Sequence, residues 1–335
     1  MRFLICRTDA IGDLLVTLPV QERILANDPS AEVYWLVRAE TAPILDGLPG
    51  VAGVLLRQPN ADEKSLADII RNLAPDALLN ISHRDRAIVS AAKRAGVPIR
   101  VARPRGLKQL LCATHRVWSK RSGSGRHESE HALDFLRPLG WAGNYSEISN
   151  SSKAAPVLPR LTLSQEEIAN GEKELGHIPH PRLGTILRGS GAGAFPSSQW
   201  WGGMLSESKG AGWNPIVLSP PKDSPLPPAA IRSLMGRLFA CDAVIGPSTG
   251  PTHLAAALGK PTLCLMGRRT SHGPDRWKPL GQCVEAIQYP GGEDDLGTGM
   301  NRLPFDEVVA ALNKLQVSFL QNYPHVHRSR RGFGG

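Results

Sequence analysis

The 335-residue chain is too long for one ordinary hydrophobic core and suits two domains of roughly 150 residues each. With 41% hydrophobic and 21% charged residues it is neither disordered nor fibrous, and no apolar run approaches the roughly 18 residues of a membrane span. The net charge of +9 is concentrated: between Arg84 and Arg126 twelve Lys or Arg stand against Asp85 alone, a net +11 that attracts phosphates of nucleic acid, anionic lipid or substrate. Few aromatics interleave with these cations, which argues against single-stranded nucleic acid. Arg7 and Asp9 interrupt any signal-peptide core, so a cytoplasmic location is expected. The five cysteines (Cys6, Cys112, Cys241, Cys264, Cys283) are widely spaced without a CxxC pair, which points to reduced core residues rather than disulfides or a zinc site.

In chain order, short apolar β-branched runs alternate with helix-length amphipathic stretches, the pattern of parallel sheets covered by helices. The first series predicts strands near Phe3–Cys6, Val33–Val37, Val54–Leu56 and Ala77–Ile81. A second restarts at Leu183–Leu187 and continues through Ile216–Ser219, Ala243–Ile245 and Thr262–Met266. Between them lies a Ser-, Ala- and Pro-rich stretch without periodicity. The expected organisation is an α/β chain with a first Rossmann-like domain over 1–150, a linker over 151–160, a second Rossmann-like domain over 161–320 and a basic, flexible tail over 321–335. Ligands of such doubly wound domains are held in loops after the carboxyl ends of strands.

Three motifs fall in such loops. Arg7-Thr8-Asp9-Ala10-Ile11-Gly12-Asp13 follows the first strand. Gly12 suits a tight turn, and Asp13, in the first turn of the next helix, either complements the helix dipole or serves as a general base. Gly246-Pro247-Ser248-Thr249-Gly250-Pro251-Thr252-His253, continued as LAAALGKP, reads as a strand end, a turn and a helix with Pro251 at its first position and Gly259 beyond its last turn. Its amino-terminal N–H groups would cradle a diphosphate; the plainer role is capping by Ser248 or Thr249. His253 either stays a core or capping histidine or reaches a phosphate. Arg188-Gly189-Ser190-Gly191-Ala192-Gly193-Ala194 is a weak match to a dinucleotide fingerprint, because Phe195-Pro196 interrupts the helix and Asp223 lies too far along to be the expected strand-end acid. A loop that admits a nucleotide to the backbone fits it better.

Taken together, these residues resemble the lipopolysaccharide heptosyltransferase family (glycosyltransferase family 9), enzymes of GT-B architecture in which two Rossmann-like domains face a central cleft. The resemblance runs through RTDAIGD with a Leu-rich helix ending Leu18-Pro19, Arg126-His127-Glu128-Ser129-Glu130, Gly189-Ser190-Gly191, Phe195-Pro196 with Trp200, Gly212 to Leu218, and above all STGPTHLAAALGKPT with Arg276-Trp277 downstream. It implies that Asp13 is the catalytic base of an inverting transfer of a sugar, a heptose, from an ADP-linked donor to a lipopolysaccharide core or related anionic glycolipid. Donor contacts are then expected from Arg188, Gly189, Ser190, Gly191, Asp223, Ser248, Thr249, Gly250, Pro251, Thr252 and His253. Acceptor contacts are expected from Arg7, Thr8, Gly12, Arg84, Arg103, Arg105 and Lys108. No cofactor beyond the nucleotide-sugar substrate, no metal and no nucleic acid is called for, since the sequence contains no HExxH, DxD or clustered His/Cys arrangement. The basic block becomes the acceptor site of an enzyme peripherally associated with the inner membrane.

The chain departs from that family in two places. Gly193-Ala194 stand where members using ADP-heptose commonly carry a Lys, and Ser248 stands where many have Asp. Arg188 or Arg268-Arg269 would supply the lost positive charge. The rival readings are a non-catalytic sugar-nucleotide or lipid-binding relative and, less favoured, a nucleotide-dependent oxidoreductase, whose glycine fingerprint should follow the first strand, where RTDAIGD has a single glycine.

Overall fold

A computed structural model describes residues 1–104, 106–119, 121, 124–141, 158–188, 195–219, 227–267, 273–289 and 299–322. The chain divides into two compact units, Met1–Thr162 with 226–231, and the remainder. Each is built on one parallel sheet.

The first unit runs β1 (Arg2–Cys6), α1 (Ile11–Leu15), α2 (Pro19–Asn27), β2 (Glu32–Val37), β3 (Val51–Leu56), α3 (Glu63–Leu73), β4 (Ala77–Asn80), α4 (Ala87–Ala95), β5 (Ile99–Ala102), α5 (Leu107–Cys112), β6 (His115–Arg116) and α6 (Glu128–Leu133). Its strands order as β3-β2-β1-β4-β5-β6, with every pairing parallel. The central strands are apolar on both faces, as a sheet covered on both sides requires: Phe3, Leu4, Ile5 and Cys6 are fully buried. On one face Leu4, Cys6 and Leu78 pack with Leu66, Ile70, Ile88 and Ala92 of the helices. The helix expected to reach Leu18 stops at Leu15, and Thr17 and Leu18 donate to the carbonyls three residues back. Pro19, which lacks an N–H and whose ring would crowd the Leu15 carbonyl, then opens α2. Gly12 lies inside α1 without a positive φ, so the tight turn expected of it does not form.

The second unit runs α7 (Gln165–Leu175), β7 (Arg182–Thr185), α8 (Ser198–Gly210), β8 (Asn214–Val217), α9 (Pro228–Phe239), β9 (Ala243–Pro247), α10 (Gly250–Ala257), β10 (Thr262–Met266), α11 (Pro274–Trp277), β11 (Val284–Gln288) and α12 (Phe305–Asn322). Its sheet orders as β11-β10-β9-β7-β8, again parallel. Trp200, Trp201 and Trp213 pack with Leu183, Ile245, Leu265 and Leu312. Each indole finds an acceptor, Leu303 O at 3.0 Å, Leu187 O at 3.1 Å and Asn313 Oδ1 at 2.9 Å, so these large side chains are buried without a stranded N–H. α7 and α9 touch backbone to backbone at Gly171 and Gly236, where a Cβ on Gly171 would lie 2.3 Å from the Gly236 carbonyl oxygen.

All eight expected strands form, and β5, β6 and β11 are additional. All five cysteines are free thiols, four of them buried. Burial pushes the Cys241 thiol up to about 12, which makes it inert. Among the described residues no helix is long and apolar enough to cross a membrane.

Candidate active site

In a doubly wound sheet the crevice opens where the strand order reverses. In the first sheet that point lies between β1 and β4, and the loops leaving those two strands carry Arg7, Asp9 and Asp13 on one side and Ser82, His83 and Arg84 on the other. In the second it lies between β7 and β9, whose loops carry Arg188 and Ser248-Thr249-Gly250.

At the first point, the guanidinium of Arg7, 1% exposed, is the hub. Its Nη2 donates to Asp13 Oδ1 at 2.5 Å, Nε to the Asp13 carbonyl at 3.2 Å, and Nη1 to the Ile81 carbonyl at 2.6 Å. Arg7 Nε also lies 3.5 Å from Asp9 Oδ2, which in turn accepts the His83 N–H at 2.9 Å. The His83 ring sits between two guanidiniums: Arg7 Nη2 is 3.2 Å from its Nε2, and Arg121 lies 2.8 Å from both ring nitrogens and donates to Glu128. The side chains thus form a row, Asp13, Arg7, His83, Arg121, Glu128, with a carboxylate at each end and a guanidinium on each side of the imidazole. Burial first, then the charges of Arg7 and Arg121, push the His83 imidazole down to about 3, so it is neutral at physiological pH.

The expected acceptor residues separate on these facts. Arg7 is buried and committed to Asp13, so it holds the carboxylate instead of reaching for an acceptor. Thr8 closes the loop onto β4 through its N–H and hydroxyl, 2.9 and 3.1 Å from Ser82 Oγ, while Gly12 contributes only helix backbone. Arg84 is exposed beside His83. Arg103, after β5, donates to Ser119 at 2.6 Å and, with Asn80, Ser82, His83, Gln109 and Glu128, lines a cavity of about 20 Å³, room for a single water. Lys108 points away, paired with Glu63 at 2.6 Å. Arg105 lies outside the described residues.

Asp9, Asp13 and His83 each offer a ligand atom, all within 4.8 Å of one another. No local motif of the sequence marks this group: 70 residues separate Asp13 from His83, and the β1–β4 pairing joins them. The Arg7 guanidinium occupies their midst, so a positive charge already compensates both carboxylates.

At the second point, Gly250 opens α10 and Pro251 follows at its second position, one later than expected. The N–H groups of Gly250 and Thr252 thus lack intrahelical acceptors, Pro251 has none to offer, and Thr249 makes no side-chain cap. Thr252 and His253 are buried: Thr252 Oγ1 donates to the Pro247 carbonyl at 2.7 Å, and His253 Nε2 lies 3.2 Å from Ser248 Oγ. Ser248 Oγ also donates to the Trp277 carbonyl at 3.1 Å. The side chains of Pro251, Thr252 and His253 therefore shape the turn from beneath, and what the turn presents to a ligand is Ser248 and main-chain N–H. Close packing fixes the turn's base: a Cβ on Gly246 would lie 2.6 Å from Ile186 Cβ. Arg188 is exposed just past β7. Gly189, Ser190, Gly191, Asp223 and Arg268-Arg269 lie outside the described residues.

His83, Asp9, Arg121 and Glu128 were not among the residues expected. His83 had a signal, since it follows the strand over Ala77–Ile81 as Asp13 follows Phe3–Cys6. Glu128 lies in the RHESE stretch, which opens α6 as a capping box: His127 accepts the Ser129 N–H at 3.2 Å and Glu130 accepts the His127 N–H at 2.7 Å.

Residues 225–293 match the model of "Glycosyltransferase family 9 (heptosyltransferase)". A Haemophilus influenzae protein named "Putative glycosyltransferase" is 24% identical over 328 residues, covering 88% of this chain and 90% of its own. Among solved structures, the glycosyl transferase family 9 protein from Veillonella parvula superposes with a TM-score of 0.76 at 13% identity, over 95% of this chain and 97% of that one. The E. coli ADP-heptose lps heptosyltransferase II superposes with a TM-score of 0.73 at 17% identity, over 95% and 99%. These neighbours share the two-sheet α/β fold, and the resemblance to the heptosyltransferase family read from the motifs stands.

Proposed function

We propose that this chain, a glycosyltransferase related to the family 9 heptosyltransferases, moves a heptose from an ADP-linked donor to an anionic glycolipid of the lipopolysaccharide core type, with inversion and without a metal ion. The observation that carries the reading is the Asp13 carboxylate, fixed by a buried arginine at the reversal point of the first sheet. A carboxylate so held is oriented toward one hydroxyl without rotamer freedom to lose, which is how positioning lowers a barrier. The acceptor hydroxyl gives its proton to Asp13 as its oxygen bonds to the anomeric carbon. The bond from that carbon to the diphosphate oxygen breaks on the opposite face, so a single displacement inverts the centre. General-base help of this kind contributes typically 10²- to 10⁴-fold.

Charge grows on the leaving diphosphate, and the open N–H groups of α10 with the Arg188 guanidinium supply its stabilisation. Arg188 takes the part of the Lys that Gly193-Ala194 replace. Arg84 and Arg103, from the β4 and β5 loops, serve anionic groups of the acceptor. ADP and heptose as donor parts, and lipopolysaccharide as acceptor, draw support from the name of the E. coli neighbour and from the basic block. The Arg7 charge among Asp9, Asp13 and His83 argues that this cluster works without a bound cation. The enzyme works at the cytoplasmic face of the inner membrane, bound peripherally.

Thermal shift tests the donor assignment, because a ligand that binds only the folded state raises its stability by mass action. ADP and ADP-heptose at about 100 times their dissociation constants should raise Tm by several degrees, and UDP and GDP sugars should not. A shift with a UDP sugar and none with ADP would reject the donor. Transfer should also survive EDTA; loss of turnover restored by one divalent ion would reject metal independence.

A further inference from the structure

We infer that the outer edge of the first sheet, where Leu107, Leu111 and Trp118 stand exposed among cations, is a docking surface for an anionic lipid bilayer; this rests on the glycolipid-acceptor reading above and gives it a residue-level surface. The three side chains are 70%, 63% and 73% exposed, more than any other large apolar side chain among the described residues, and they fall within twelve residues of one another. Leu107 and Leu111, four apart on α5, share one face, while Gln109 and Cys112 turn inward. β6 is the last strand of the sheet. Along it and beyond, exposure alternates, with Arg116 out, Val117 in and Trp118 out. Arg116 ties the two pieces together, donating to the Leu110 carbonyl of α5 at 3.1 Å.

Charge selects the occupant. Lys93, Arg94, Lys108 and Arg116 are exposed around this edge, and among the described residues the ion pair they make is that of Lys108 with Glu63. Lys93 Nζ rests on the Leu111 carbonyl at 3.3 Å, so the positive charge sits directly beside the exposed leucines. Apolar side chains rimmed by cations, with a Trp at the boundary, match the headgroup region of a membrane bearing anionic lipid. Each cation held near such a surface strengthens partition roughly fivefold. Nucleic acid fits less well, because leucines offer no face for base stacking. A second copy of the chain would bring like charges together across the contact.

Sedimentation of the full-length protein with vesicles tests this. Vesicles of about 70:30 phosphatidylcholine to phosphatidylglycerol should carry the protein down, and pure phosphatidylcholine should bind at least ~10-fold more weakly. The double variant Leu107→Ser with Leu111→Ser should lose at least ~10-fold of the partition on anionic vesicles, and Lys93→Gln with Arg94→Gln a comparable amount, with Tm and ADP binding unchanged. Wild-type partition in the leucine variant would overturn the proposal. So would binding of a DNA duplex that matches vesicle binding and ignores the leucine change, or self-association that the variant abolishes without vesicle binding in the wild type. If vesicles bind as expected but no nucleotide sugar binds, the docking surface stands and the glycosyltransferase reading fails.

Discussion

Arg7 and His83 illustrate how much of a carboxylate's behaviour is decided by neighbours distant in sequence. Arg7 makes hydrogen bonds to Asp13, its carbonyl and the Ile81 carbonyl in one planar fork. A lysine offers a single point charge on a flexible stem and cannot reproduce that fork. Arg7→Lys should therefore lower kcat by about tenfold or more while leaving the donor KM within a fewfold, as steady-state kinetics would read. His83 makes stability depend on pH. Its folded-state value of about 3 lies below the ordinary histidine value near 6.5, so between these limits the unfolded chain binds a proton that the folded chain does not. Stability from this group is full above pH ~6.5 and is lost as pH falls toward 3, by an amount on the order of a few kcal/mol. Asp134 adds to the loss at the lower end: against the upward push of its burial, hydrogen bonds from His131 and Arg126 hold it down to about 2. His83→Gln should flatten the fall of Tm between pH 6.5 and 4; an unchanged slope would contradict the neutral imidazole. Asp13 could be read from the sequence because one strand and one turn place it. The same turn brings Arg7 to it, but His83 and Glu128 could not be read, because the contacts that join Asp13 to His83 and His83 to Glu128 cross 70 and 45 residues.

At the scale of elements, the strands that the sequence displays are apolar runs, fully buried in β1 and β10 and only partly buried in the edge strands β3 and β8. Phe3–Cys6 and Thr262–Met266 are continuous apolar runs, whereas β5 carries Arg100, β6 is two polar residues and β11 is an edge strand with Glu285 and Gln288. Strands interrupted by polar residues, such as β5, β6 and β11, owe their place to the ladder they complete and show no period of their own. Helix packing is equally silent in sequence. Nothing in Gly171 or Gly236 announces that α7 and α9 meet there, yet a Cβ on Gly236 would lie 2.7 Å from the Glu167 carbonyl oxygen. Backbone cannot yield as a side chain can, so Gly236→Ala should cost about 1–3 kcal/mol, seen as a lowered Tm with unaltered nucleotide affinity. A variant as stable as wild type would mean that the helices slide apart freely.

Across the whole molecule, the same rule locates both sites. A β3-β2-β1-β4-β5-β6 order reverses between β1 and β4, and a β8-β7-β9-β10-β11 order between β7 and β9, so the loops leaving these strands flank the crevice where doubly wound sheets hold their ligands. The position of the motifs after the first strand of each series was legible for that reason, as was the helix after β9, which starts one residue before the expected Pro251. The division of labour predicts separable kinetics. Arg188→Ala should raise the donor KM; Arg84→Ala with Arg103→Ala should raise the acceptor KM, and Arg84→Ala alone should flatten its salt dependence, since an exposed charge is screened within about 8 Å at physiological ionic strength. Equal effects of both variants on both substrates would contradict it.

The role of Asp13 is tested most directly by Asp13→Asn, which keeps shape and removes basicity at the carboxylate that Arg7 holds most closely. Turnover with an ADP-sugar and a soluble acceptor fragment should fall at least ~10²-fold, with ADP affinity by calorimetry unchanged. Turnover within a fewfold of wild type would contradict the account.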